Sequence, residues 1–333
     1  MDACSLERRG ISPTVSQGAP VIRPVGKKSE LGRWTKKRFK LFRRSLYPLG
    51  VELAKLCVAS LGRSGYERWG RLLGFLAFQV LPKERNRAMR QLNLALGEKY
   101  EPSAIRKMAL ECFQSLALSG MECLNMQRMQ KHEILGLVEI QGWEHVEQAR
   151  AKGKGAIFVT GHLGNWELCA AYVALKGFPM NVVARRIYVE ELGRQLVSMR
   201  QAMGVNTLYR DQSMRLMLRC LERNEFLGIL PDQDVRRVGG IFVEFFGRPA
   251  YTPVGPALLA LASGAPLLLA RDIRKAGRHR ITVDPPLYAN PKAPRQEEVR
   301  RLVSLYTKRL EEFIREHPGQ WVWMHRRWRT RPS

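Results

Sequence analysis

From about residue 130 onward the chain alternates between two hydrophobic periods, and few folds accommodate that alternation. Short apolar runs of strand type occur at 156–160 (AIFVT), 181–184 (NVVA), 226–230 (FLGIL), 241–246 (IFVEFF), 267–270 (LLLA) and 280–283 (RITV). Helical patterns lie between several of them: Val189, Leu192, Leu196, Met199 and Met203, and later Val299, Leu302, Val303, Tyr306, Leu310, Phe313 and Ile314. Strands separated by helices imply an α/β fold, a mixed and largely parallel sheet covered by helices. No internal repeat, dinucleotide-type glycine fingerprint or phosphate-binding P-loop interrupts the pattern.

Upstream the organisation differs. Residues 1–44 read as a disordered basic tail and membrane-proximal segment, ending in the acid-free stretch RWTKKRFKLFRR, whose cations and interleaved aromatic rings suit an anchor on anionic lipid headgroups. Residues 45–130 read as a helical membrane-associated region, and 131–333 as the α/β core. The apolar segments 46–62 and 72–81 follow the basic run. The first carries Glu52 and Lys55 and the second is short, so an in-plane segment fits better than a spanning helix. A further helix is expected where Ile105, Met108, Ala109, Cys112, Phe113, Leu116, Gly120, Cys123 and Leu124 recur at helical spacing. The N-terminus MDACSLERRG has no apolar core of a secretory signal.

With 333 residues, 45% of them apolar, the chain can bury a sizeable core. The formal net charge of +26 draws it toward polyanions: nucleic acid, anionic lipid headgroups or an acidic protein. The six cysteines have neither C-x-x-C spacing nor a histidine cluster, which argues against zinc and for free thiols in a reducing compartment.

One segment concentrates chemistry. GAIFVTGHLGNWE, residues 155–167, reads as strand, tight turn and helix start, with Asn165 as N-cap. With His162 in the turn and Glu167 in the first helical turn, the carboxylate can fold back onto the imidazole and make it a general base. The spacing by itself reads first as a surface ion pair. Small residues around the histidine, among them Gly164, and an indole between the two polar groups shift the reading toward a site that a substrate approaches closely. No serine or cysteine in the motif serves as a nucleophile, so direct attack by a substrate hydroxyl is the simpler chemistry.

GHLGNWE resembles the signature of the bacterial lipid A biosynthesis (late) acyltransferases, relatives of the glycerol-phosphate acyltransferases with their H-x4-D box. The resemblance extends to Pro231-Asp232-Gln233-Asp234, to GIFVEFFG at 240–247 followed by Ala250-Tyr251-Thr252-Pro253, and to PGQWVWMHRRW at 318–328. It covers roughly residues 45–330. It implies transfer of a fatty acyl chain from acyl carrier protein, or else coenzyme A, to a hydroxyl of a lipid A precursor, with His162 as base and Glu167 as its partner. The location implied is the cytoplasmic face of a Gram-negative inner membrane, with the enzyme either peripheral or monotopic or held by a single N-terminal anchor. Expected partners are the acyl carrier, an anionic lipid acceptor and membrane phospholipids; nucleic acid, metal and cofactor are not expected. An acceptor such as a phosphatidylinositol mannoside or an aminolipid is an alternative, as is a non-catalytic basic binder of membrane or nucleic acid.

Further candidates for substrate binding are Gly164, Asn165, Arg185, Arg186, Arg200, Asp232, Asp234, Arg248 and Thr252. The arginines after the 181–184 run could hold phosphate. Asp232 and Asp234 are expected to pair with those arginines or to build their loop, and Arg248 and Thr252 either contact substrate or form a turn.

Overall fold

Ala156, Ile157, Phe158 and Val159 are all buried, the pattern of a strand covered on both faces. They form the centre of a seven-stranded sheet in a computed structural model, which describes residues 62–187, 189–210 and 214–332. In chain order the strands are β1 (Val138–Gln141), β2 (Ala156–Val159), β3 (Met180–Ala184), β4 (Val205–Tyr209), β5 (Phe226–Ile229), β6 (Gly240–Phe245), β7 (Arg248–Pro253), β8 (Leu267–Lys275) and β9 (Arg278–Val283). The sheet order is β1-β9-β8-β2-β5-β3-β4, and every pairing is parallel except that of β8 with β9. The mixed, largely parallel sheet expected from the alternation is therefore present. After β5 the chain crosses to the other side of β2, so the carboxyl end of β2 borders the crevice where such sheets bind ligands.

The helices are α1 (Arg63–Val80), α2 (Pro82–Leu96), α3 (Pro102–Met126), α4 (Lys131–Gly136), α5 (Trp143–Ala151), α6 (Trp166–Leu175), α7 (Glu190–Ala202), α8 (Met214–Glu222), α9 (Gly255–Ser263) and α10 (Arg295–Glu316). One core sets Leu168, Ala171 and Tyr172 of α6 against Phe158, Met180 and Phe226. A second sets Leu302, Val303 and Tyr306 of α10 and Leu259 of α9 against Ile157, Leu227 and Leu267. Burying each large apolar side chain contributes about 1.5–3 kcal/mol.

Residues 241–246 depart from expectation. They do not join the main sheet but pair antiparallel with β7 as a separate hairpin, closed by Phe246 and Gly247 in left-handed conformation, φ +54° and +68°. Two such residues make the turn whose twist matches a hairpin. Phe246 tolerates the strain because its ring is packed against Trp323 and Trp328, and Arg315 lies over it.

A third core joins Phe78, Leu92 and Phe113 of α1–α3 to Leu163, Phe245, Trp321 and Trp323. The helices before residue 130 thus share a core with the end of the chain. On α3 the expected apolar face holds only for its first half. Leu116 and Gly120 are exposed, while Ser115, Ser119 and Glu122 are buried because all three meet Arg274 of β8, and Glu122 also meets His279 of β9. Of the proposed membrane-associated segments, 46–61 and the basic tail 1–44 lie outside the described residues. No helix among the described residues is long and apolar enough to cross a membrane. On α1, Trp69, Leu72, Leu73, Leu76 and Val80 are exposed, at spacings that put them along one side of the helix.

Candidate active site

The chain turns sharply between β2 and α6, and the turn is specified by backbone geometry. Gly164 takes φ +59°, and a Cβ there would run into the carbonyl oxygen of Asp272. Asn165 caps α6 as expected, its Oδ1 accepting from Leu168 N at 3.1 Å. Its own N–H donates to Asp272 Oδ2 at 2.7 Å and its Nδ2 to Glu122 Oε2 at 2.8 Å. Gly164 and Asn165 are accordingly built into the scaffold rather than the cavity wall.

The turn presents His162, whose side chain is 23% exposed. Its carboxylate partner is Asp232, which follows β5, the strand beside β2. His162 Nδ1 lies 2.8 Å from Asp232 Oδ1, and His162 N donates to Oδ2 at 2.7 Å. Trp321 Nε1 also donates to Oδ2, at 2.9 Å. Burial alone would raise the Asp232 carboxyl, but the charge and hydrogen bonds of His162 outweigh it and hold the group well below the usual carboxylate range. An ionised carboxylate only accepts, so neutral His162 carries its proton on Nδ1 and keeps a lone pair on Nε2.

The expected folding of Glu167 onto the imidazole is not what the structure has. The element does change between the two residues, but Glu167 turns instead to α7. Arg200 reaches it with two bonds, Nη2 to Oε1 at 2.6 Å and Nε to Oε2 at 2.8 Å, and Trp166 Nε1 donates to Oε1 at 3.2 Å. Both charged side chains are 9% exposed. A planar guanidinium satisfies both carboxylate oxygens, which one imidazole nitrogen cannot, and Asp232 already occupies Nδ1. Because the pair depends on the guanidinium fork, Arg200→Lys is expected to lower the unfolding free energy by about 1.5–3 kcal/mol in chemical denaturation. An unchanged midpoint would show that the fork contributes nothing.

His162, Trp166, Glu167 and Arg200 are among the residues lining a cavity of about 550 Å³, within the usual range for ligand pockets. Its interior is apolar, lined by Phe158, Tyr172, Met180 and Val182 among others, and Arg185 and Arg210 are among its lining residues. Arg186 is not in the lining; its guanidinium stacks 4.0 Å over the Tyr209 ring. The expected pairing of Asp232 with an arginine gives way to His162. Asp234 builds its loop, accepting from Thr330 N and Oγ1 at 2.6 and 2.8 Å. Arg248 Nε donates to Leu94 O at 3.0 Å, and buried Thr252 receives Arg327 Nη2 at 2.6 Å, both outside the lining. Among the described residues no cluster of histidine, cysteine and acidic side chains could hold a metal.

Two polar residues beside His162 were not singled out by spacing: Gln233, in the loop after β5, and His325, near the end of the chain. Both stand in the family-like segments, and strand adjacency supplies the signal for Gln233. Because β2 and β5 run parallel side by side, the loop leaving β5 lies next to the loop leaving β2.

The fold and site define an α/β protein whose imidazole, fixed by a buried acid, opens from a strand end into an apolar cavity. Residues 35–330 match the family described as bacterial lipid A biosynthesis acyltransferase, and the chain belongs to that family. It is 26% identical over 272 residues to the lipid A biosynthesis palmitoleoyltransferase of Escherichia coli (strain K12), covering 79% of this chain and 84% of that protein. To the lauroyltransferase of the same organism it is 26% identical over 274 residues, 80% and 86% of the two chains. A phosphatidylinositol mannoside acyltransferase of Mycobacterium tuberculosis (strain CDC 1551 / Oshkosh) is 27% identical over 193 residues, 57% of this chain and 59% of that relative. The chain thus spans somewhat under two thirds of the mannoside acyltransferase's length.

Proposed function

We propose that this protein transfers a fatty acyl chain from a thioester, carried by acyl carrier protein, to a hydroxyl of a lipid A precursor. The observation that carries the reading is His162, held by Asp232 on one nitrogen while it borders a largely apolar cavity. The cavity takes the hydrocarbon chain and leaves the thioester carbonyl beside the imidazole. His162 Nε2 removes the hydroxyl proton as the oxygen attacks, Asp232 stabilises the imidazolium, and the proton then passes to the leaving thiolate. Arg185 and Arg210 supply cations for a phosphorylated acceptor or for the carrier's phosphopantetheine. Glu167 acts through Arg200, bracing α6 against α7 beside the cavity. Coenzyme A is the second possible donor.

The exposed apolar side of α1 suits an enzyme that lies in the interface of the inner membrane at its cytoplasmic face. The net charge of +26 fits anionic phospholipids, an acidic carrier and a phosphorylated acceptor together. The mannoside acyltransferase relatives favour a second reading with the same chemistry on another membrane glycolipid. Mass spectrometry of lipids from a strain lacking the protein separates the readings. Loss of one acyl chain from lipid A, restored by the wild-type chain, is the expected result. A change confined to another glycolipid selects the second reading, and an unaltered lipid profile overturns both.

A further inference from the structure

The side-chain nitrogen of Gln233 lies 3.1 Å from His162 Nε2 and 3.3 Å from His162 Nδ1. Those near-equal distances exclude a position on the Nε2 lone-pair axis, where the far ring nitrogen would be about 5 Å away. The same amide nitrogen would collide with Cε1 if it lay in the ring plane midway between the two nitrogens. It therefore sits over the face of the imidazole and leaves the lone pair of the base clear. Gln233 also makes a 2.8 Å contact with His325 Nε2. An amide nitrogen only donates, so His325 Nε2 is the acceptor and His325 is neutral. Burial, with the neighbouring charge of His162, agrees with this, pushing the His325 imidazole down to about 4.

The amide has two protons, and the bond to His325 uses one. The other belongs to a side chain that lines the cavity directly above the base. We propose that this second N–H of Gln233 receives the negative charge that develops on the thioester carbonyl oxygen, with His325 as the residue that positions it. The inference rests on the acyl-transfer reading above. In the step, the hydroxyl oxygen bonds to the thioester carbon, its proton moves to His162 Nε2, and the carbonyl π electrons move onto oxygen beneath Gln233. Collapse returns those electrons to the carbonyl, breaks the C–S bond and sends the proton from His162 to the departing sulfur. A donor fixed before the reaction is where electrostatic catalysis is strongest.

The test uses the full chain with a fatty acyl-coenzyme A thioester and water as acceptor, so that it does not depend on the lipid's identity. Gln233→Ala and the near-isosteric Gln233→Glu are each expected to lower kcat for thioester cleavage by about 10²–10³-fold, the usual loss for one oxyanion donor. In Gln233→Ala the KM and the pH at which activity rises should remain as in wild type, whereas the carboxylate of Gln233→Glu, close to His162, moves that rise to higher pH. A phosphonate analogue of the tetrahedral intermediate should bind more weakly by the same factor as kcat falls. His325→Ala should produce a smaller loss of the same kind. In Gln233→Ala, a wild-type kcat, a displaced pH limb or unchanged phosphonate affinity each overturns the oxyanion role. Failure of the wild-type protein to cleave the thioester from either coenzyme A or acyl carrier protein, with water or with lipid A precursors and other membrane glycolipids present as acceptor, overturns the acyl-transfer reading itself.

Discussion

Asp232→Asn is expected to lower acyl-transfer turnover by about 10⁴-fold, as much as His162→Ala, although the side chain it changes never meets the substrate. Three donors converge on the Asp232 carboxylate: the His162 backbone N–H and the Trp321 indole on Oδ2, and the His162 ring on Oδ1. Asparagine has one oxygen. With two fixed N–H groups demanding it, the amide NH₂ is left facing His162 Nδ1, which must then accept. The ring proton moves to Nε2, and the nitrogen that should take the hydroxyl proton already carries one. Loss of the base and loss of its tautomer disable one unit, so the double variant should be no slower than either single variant. Single-turnover rates with a fatty acyl thioester measure the effect, and a variant Asp232→Asn that retains near-wild-type turnover would remove Asp232 from the mechanism. Glu167→Gln leaves that tautomer untouched, and its effect on turnover should be much smaller.

The difference between Asp232 and Glu167 marks what was legible in the sequence. The alternation of apolar runs fixes a helix-covered sheet because burial on two faces writes itself as unbroken runs such as AIFV, and the cap at Asn165 is visible as a local pattern. The strands β1, β4 and β7 are less visible. VEIQ and VNTLY lie toward the edge of the sheet and mix polar with apolar residues, while RPAYTP contains two prolines. The partner of the base lay seventy positions away. Spacing along the chain favours the nearest carboxylate, whereas a parallel sheet places the residues after β2 next to those after β5. Reading strand ends as neighbours would have selected Asp232 and Gln233 together. The contributions of Trp321 and His325 come from a C-terminal segment packed behind the turn, which no local period encodes.

The scaffold behind that turn carries its own pH dependence. His279 Nδ1 lies 2.7 Å from Asp272 Oδ2 and its Nε2 3.2 Å from Glu122 Oε1. Two carboxylates can be satisfied together only by an imidazolium, which has a proton on each nitrogen. Burial opposes that charge, but Asp272 and Glu122 overcome it and raise His279 to about 9. Burial would likewise raise Glu122, and its bonds to Arg274 and His279 bring it down to about 2 instead. A histidine raised in the folded state stabilises fully below its unfolded value near 6.5, and the contribution fades as pH rises toward 9. Wild-type unfolding free energy should therefore fall by about 3 kcal/mol between pH 6.5 and 9 through this group. The Glu122 contribution runs the other way, present above about 4.5 and lost as pH drops toward 2. His279→Gln should be less stable at pH 6.5 by about 3–5 kcal/mol, because two buried carboxylates then lose the imidazolium charge and keep Arg274 as their cation. It should also lose the alkaline slope, so that variant and wild type converge near pH 9. Denaturant titrations of both proteins at the two pH values decide the matter: parallel losses of stability would mean that His279 is not charged in the fold. Since Asp272 and Glu122 also hold Asn165 at the start of α6, any loosening of this cluster is transmitted to the turn that carries His162.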